Sequence, residues 1–193
     1  MLTLASASGA RAALLRAAGI AHDVRPARID EDAVKASLAA EGASPRDVAD
    51  ALAEMKAVKG RVPGLCLGSD QVLDLDGTVL SKAPDRAAAA GQLRALAGRT
   101  HRLIAAAVVA EDGEPVWRAA ETVLLAMRPL SDGFIDAYLE RNWDAVRHSV
   151  GHYHVEGEGP RLFTRIEGSH YAVLGLPLLP LVDWLTARGV LDS

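Results

Sequence analysis

The chain holds one cysteine, Cys66, in 193 residues. It therefore has no disulfide framework, and a lone cysteine inside an apolar run reads as a packing residue of a reducing compartment. A basic excess is missing too: 21 lysines and arginines stand against 25 acids, a formal net charge of -4. That balance argues against a nucleic-acid polymer as partner, although a local cluster of Lys and Arg can still hold a small anion. No apolar stretch approaches the roughly 20 residues that span a bilayer, and the start lacks the cationic and apolar regions of a secretion signal. The expectation is a cytoplasmic protein with no membrane partner. No internal repeat is present, and no Gly-Lys-Ser/Thr ending marks a phosphate loop. The chain is 50% hydrophobic, enough for one sizeable core, so residues 1–193 are expected to form a single domain.

Strand and helix signals mix without strict alternation. Met1 to Ala5 reads as a strand, followed by a helix over about Ala10 to Ala18 with Ser8 as its N-cap and Gly19 as its stop. His22 to Arg25 reads as a short strand that leads into a turn at Ile29-Asp30-Glu31. Ser44-Pro45-Arg46-Asp47 opens a helix with a cap, a proline at the first position and an acid three residues on. Leu65 to Leu75 and Thr78 to Leu80 form a hairpin around Asp76-Gly77. Asp85 caps a helix that ends near Gly98. Two strands follow, Arg102 to Val109 and Val116 to Met127, then a helix over Ser131 to Arg141. Gly151 to Gly159 is a polar, glycine-punctuated loop, Leu162 to Ile166 a strand, and Leu178 to Arg188 a closing helix. The fold class is α/β, a mixed sheet with flanking helices rather than a purely parallel one.

The chemistry centres on Leu65-Cys66-Leu67-Gly68-Ser69-Asp70-Gln71. A carboxylate in a buried strand is expensive unless it is paired or holds a metal, so Asp70 is a candidate general base or metal ligand. Ser6, Ser8 and Arg11, between the first strand and first helix, offer hydroxyls, backbone N–H groups and a guanidinium fork to a phosphate. Asp30 and Glu31 sit in a loop and, beside a second carboxylate, would suit Mg2+ or Mn2+. Lys56 lies beside the apolar stripe of its helix, and the hairpin returns Lys82 towards Asp70. Glu156 lies in a loop whose glycines would let it close on a base edge.

Two other patterns compete. Asp74-Leu75-Asp76-Gly77-Thr78 matches the nucleophile motif of haloacid-dehalogenase-type phosphatases, but it falls late in the chain and the Asp-Gly step is already explained by a hairpin turn. His148, His152, His154 and His170 lack a recognised zinc spacing.

Taken in order, these segments resemble the Maf family of nucleoside triphosphate pyrophosphatases. The resemblance runs through Leu4-Ala5-Ser6-Ala7-Ser8 with Arg11, Asp30-Glu31, Ala53-Glu54-Met55-Lys56-Ala57, Gly68-Ser69-Asp70-Gln71-Val72, Lys82, Leu96-Ala97-Gly98-Arg99-Thr100-His101, Glu156-Gly157-Glu158-Gly159 and Val173-Leu174-Gly175-Leu176-Pro177. It implies a two-lobed, inosine-triphosphatase-like fold around a cleft, often dimeric. It also implies cleavage of a nucleoside triphosphate between the α- and β-phosphates, with Mg2+ or Mn2+ as cofactor. Asp70 would be the general base near the metal, Glu31 would join the metal or phosphate shell, and Ser6, Arg11, Lys56 and Lys82 would hold the triphosphate. Gln71 and Glu156 match the branch that acts on 7-methyl-GTP rather than on pyrimidine nucleotides. Gly9, Ala10 and His154 depart from the pattern near the base. A regulator of cell division with the same fold but weak catalysis is the alternative.

Overall fold

The computed structural model describes residues 1–60 and 62–192. Seven strands form one sheet: β1 (Leu2–Leu4), β2 (His22–Val24), β3 (Leu65–Leu75), β4 (Thr78–Leu80), β5 (Thr100–Glu111), β6 (Glu114–Met127) and β7 (Phe163–Glu167). The order is β2-β1-β3-β5-β6-β7, with β4 paired to β3. β2, β1 and β3 run parallel, and every other pairing is antiparallel. The expected mixed sheet is therefore observed.

Among the described residues seven α-helices flank it: α1 (Gly9–Ala17), α2 (Glu31–Ala40), α3 (Pro45–Lys59), α4 (Arg86–Leu96), α5 (Asp132–Val146), α6 (His170–Val173) and α7 (Leu178–Ala187). Their starts follow local chemistry. Ser8, Ser44, Asp85 and Ser131 each accept a backbone N–H from the first turn, and Ser44 and Asp47 complete a reciprocal capping box. The sequence reading missed α2 and α6. Asp30 is the N-cap of α2 and accepts the Ala33 N–H, so Glu31 is the first helical residue rather than part of a loop.

β3 organises the interior through its two-residue period. Leu65 and Leu67 face the α1 and α7 side, whereas Leu73 and Leu75 face the α4–α5 side further along the same surface. Val72 points to the opposite face, where it packs against Val48, Ala49, Leu52, Ala53 and Ala57 of α3. Gly68 shares that second face. A methyl group placed on it would lie 2.0 Å from the Ala53 carbonyl oxygen and 2.4 Å from the Ala57 nitrogen. Only a residue without a side chain lets α3 approach the strand this closely.

β5 pairs with β3 from Leu65 to Asp74. The opposite edge of β3 is shared: β1 meets it at Cys66 and Leu67, and β4 meets it from Leu73 to Leu75. Between them, Gly68 to Val72 has no strand on that edge among the described residues. The sheet forks there, and a crevice at such a fork is where open α/β sheets place ligands.

Candidate active site

Asp70 sits in this fork on the α3 side of β3. Its carboxylate is almost fully buried, and Lys56 Nζ donates to Oδ1 at 2.6 Å. Lys56 occupies the buried stripe of α3, with Ala49, Leu52, Ala53 and Ala57, a position where a hydrophobic residue would ordinarily stand. The same ammonium lies 2.6 Å from Glu31 Oε1, so one lysine bridges two carboxylates. Burial by itself would raise the Glu31 pKa; the hydrogen bond from Lys56 and the charges of Lys56, Lys82 and Lys35 outweigh it and hold the carboxyl below its ordinary value. Asp70 Oδ2 is buried with no hydrogen-bond partner among the described residues. A buried carboxylate oxygen left this way is an acceptor held ready for something the protein does not supply.

Arg11, also buried, reaches the fork from α1. Its Nε donates to the Gly175 carbonyl at 2.8 Å and its Nη1 to Ser6 Oγ at 2.9 Å. Burial pulls its pKa down, opposed by the charges of Asp70 and Glu31. Arg11 thereby ties the loop after β1 to the turn after α6. The alternation of β3 sends Ser69 and Gln71 to the face opposite Asp70. Ser69 Oγ lies 2.8 Å from the Ala106 carbonyl and 3.0 Å from that of Gly175. Gln71 Nε2 donates to the carbonyls of Ala172 and Val173 at 2.8 and 3.0 Å. Its amide N–H groups are thus engaged with α6, and its carbonyl oxygen is what it can offer a ligand.

Arg11, Glu31, Lys56, Asp70, Gln71 and Gly175 line one cleft of about 690 Å3, while Ser69 lies beneath it. Ser6, Arg11, Glu31, Lys56, Asp70, Gln71, Lys82 and Glu156 all line it, whereas Asp30, the other candidate carboxylate of its pair, caps α2 and does not line the cleft. The start of α1 contributes Ser8, Gly9 and Ala10, whose helix-start N–H groups suit an anion. Sequence reasoning missed Ser69, Gly175 and Lys35. Ser69 carries a readable signal, a polar side chain in a buried strand; Lys35 is four residues after Glu31 and was hidden with the unrecognised α2.

One expectation, a free glycine-punctuated loop over 151–159, is corrected. The 151–159 segment is tied down: Tyr153 is buried with its hydroxyl 2.7 Å from His101 Nε2, and the N–H groups of Gly157 and Gly159 bond the His154 carbonyl at 3.2 and 3.1 Å. Gly159 permits a close approach, since a methyl there would meet that carbonyl oxygen at 2.3 Å. Gly159 thus serves packing, whereas a methyl on Gly157 would meet that carbonyl oxygen only at 3.9 Å. Asp74, the rival nucleophile, is buried outside the cleft, accepting the Gly77 N–H at 2.7 Å and pairing with Arg102 at 3.2 Å. It closes the hairpin turn. His148 and His154 line the cleft, while His152 is buried beside Gln92 and the Ala83 amide. No group of three or more His, Cys, Asp or Glu forms a metal cluster among the described residues. Cys66 is a packing residue, its thiol pushed up to about 11 by burial. No described helix is long and apolar enough to cross a membrane.

The forked mixed sheet and its cationic, carboxylate-centred cleft define an α/β protein built to receive an anion. The chain belongs to the Maf family: the family model for Maf-like protein matches residues 1–188. A nucleoside triphosphate pyrophosphatase of Ruegeria sp. (strain TM1040) is 51% identical over all of this chain and 98% of its own length. One of Sphingopyxis alaskensis is 51% identical over 98% of both chains. A 7-methyl-GTP pyrophosphatase of Rhizobium meliloti is 47% identical over all of this chain and 98% of its own.

Proposed function

We propose that this chain hydrolyses a nucleoside triphosphate between the α- and β-phosphates, releasing the monophosphate and pyrophosphate, with Asp70 as the base. The family and the relatives' names support the pyrophosphatase activity. The observation that carries the assignment of the base is Asp70 itself: one oxygen held by Lys56, the other buried and unpartnered among the described residues, in a cleft lined by cations.

The residues divide the work by chemistry. Lys56 holds Oδ1 of Asp70 through its hydrogen bond, which leaves Oδ2 to orient a water and accept its proton. Arg11, Lys82, the Ser6 hydroxyl and the N-terminus of α1 offset the charge of the triphosphate and its developing negative charge. Glu31 and Asp70 fit Mg2+ or Mn2+, which take one or two carboxylates together with substrate phosphate oxygens. When bound, such a cation would neutralise phosphate charge.

For the nucleobase, the proposal is 7-methyl-GTP or another modified nucleotide. Glu156 lies at the cleft wall with His148 and His154, and a carboxylate accepts from guanine N1–H and amino donors and favours a cationic methylated ring. The Rhizobium meliloti relative is named for that substrate. A single domain acting as a cytoplasmic homodimer completes the proposal, on the family resemblance.

Product analysis on 7-methyl-GTP, GTP, UTP and dTTP with Mg2+ or Mn2+ tests it. Pyrophosphate with preference for 7-methyl-GTP is expected. Preference for UTP or dTTP would overturn the base reading alone. Orthophosphate as the only product, or binding without turnover, would overturn the reaction.

A further inference from the structure

Lys35 is a cation that the cleft contains and the reading above leaves without a task. It follows Glu31 by four residues on α2, so both side chains lie on one face of that helix. Val34 and Leu38 turn instead to the packing against α3. The ordinary fate of such a spacing is a Glu–Lys pair on the helix surface. Here Glu31 takes Lys56 as its partner at 2.6 Å, and Lys35 forms no ion pair among the described residues. It is half-buried and lines the cleft, close enough to Glu31 for its charge to act on that carboxyl.

The charge balance around it is uneven. Arg11, Lys35, Lys56 and Lys82 face only Glu31 and Asp70 in this part of the cleft, with Glu156 on the segment after α5. A chain with a formal net charge of -4 has thus gathered a local positive excess. Lys56 is engaged by both carboxylates and Arg11 by Ser6 and Gly175. Lys35 and Lys82 are the two cleft cations with no protein partner among the described residues, and they stand on separate elements, α2 and the segment after β4.

We propose that Lys35 is a substrate-binding residue that, with Lys82, grips the terminal phosphates of the triphosphate and the pyrophosphate that departs. This rests on the pyrophosphatase reading and adds a subsite to it. The α2 helix buries none of its residues and is fastened at its first turn by the Glu31–Lys56 pair. It therefore serves as an arm that carries a cation to the cleft rather than as part of the core.

The test is calorimetric titration of inorganic pyrophosphate, with Mg2+ present, into the full chain and its Lys35→Gln and Lys35→Arg variants, with thermal melts alongside. Loss of one charge-assisted contact should weaken pyrophosphate about tenfold in Lys35→Gln, with an unchanged melting temperature and recovery in Lys35→Arg. Pyrophosphate affinity unaltered in Lys35→Gln, a loss that arginine does not restore, or a wild-type chain that does not bind pyrophosphate would overturn the proposal. Product analysis of the wild type on GTP separates the two readings. Orthophosphate as its sole product would sink the pyrophosphatase assignment, while the titration would still report whether Lys35 holds a diphosphate.

Discussion

Gly68 and Ala53 touch so closely that the contact decides where the charges of the site meet. A methyl group on Gly68 would lie 2.0 Å from the Ala53 carbonyl oxygen. Ala53 is one turn before Lys56, and Gly68 is two residues before Asp70 on the same face of β3. The close approach of helix and strand is what brings Lys56 Nζ to 2.6 Å from Asp70.

Gly68→Ala should therefore act on stability and activity together. Backbone lies on the far side of the added methyl, so a side chain cannot turn away; α3 must shift. Overpacking of this kind costs about 1–3 kcal/mol, and a displaced Lys56 no longer holds Asp70. A denaturant melt and a turnover assay on one preparation check this. A variant with wild-type turnover would show that the close approach does not set the site.

Lys56→Met removes the one cation shared by Glu31 and the buried Asp70. Breaking a buried pair from one side costs about 3–5 kcal/mol, moderated here because Glu31 is partly exposed. The acid limb of stability should change as well. The Glu31 carboxyl is held below its ordinary value in the fold, so its stabilisation is present above that ordinary value and fades as the pH falls through the lowered one. In Lys56→Met this contribution should shrink, which unfolding curves against pH would reveal.

His101 gives a second pH dependence of separate origin. It is buried with Nε2 against the Tyr153 hydroxyl and Nδ1 unpartnered among the described residues, and burial lowers its pKa from 6.5 to about 4. The unfolded chain binds the proton more readily, so stability should fall as the pH drops from about 6.5 towards 4, by an amount on the order of 3 kcal/mol. His101→Gln should flatten that slope. An unchanged slope would place the titration elsewhere.

Much of this site was legible because ionisable residues interrupt apolar patterns. Asp70 in a strand and Lys56 beside an apolar helical stripe are costly where they stand, and the structure pairs them. The hairpin that returns Lys82 was readable from Asp76-Gly77, and the same turn explains Asp74. The α2 helix was not readable by burial, because none of its residues is buried and its apolar stripe is slight. Its remaining signal, the Asp30 cap, looks like a turn when no helix is suspected. The glycines from Gly151 to Gly159 were read as freedom of motion. At Gly159 the physical reason is space: a side chain there would collide with the His154 carbonyl oxygen. Ser69 and Gly175 hold Arg11 and the strand through backbone carbonyls, contacts that residue types alone do not announce.

Glu156→Gln tests the base preference. It leaves the triphosphate end untouched and replaces an acceptor-only carboxylate by an amide that both donates and accepts. The ratio of kcat/KM for 7-methyl-GTP over UTP should fall about tenfold or more, in keeping with the roughly 1–3 kcal/mol carried by a charged hydrogen bond. A constant ratio would move the specificity away from this residue.

The most direct test of the account is pyrophosphate release by Asp70→Asn beside Asp74→Asn, with folding checked by circular dichroism. The account predicts a loss of about 100-fold to 10,000-fold in kcat for a removed general base in Asp70→Asn, and chemistry largely intact in Asp74→Asn. A folded Asp70→Asn enzyme with near-wild-type turnover would contradict it.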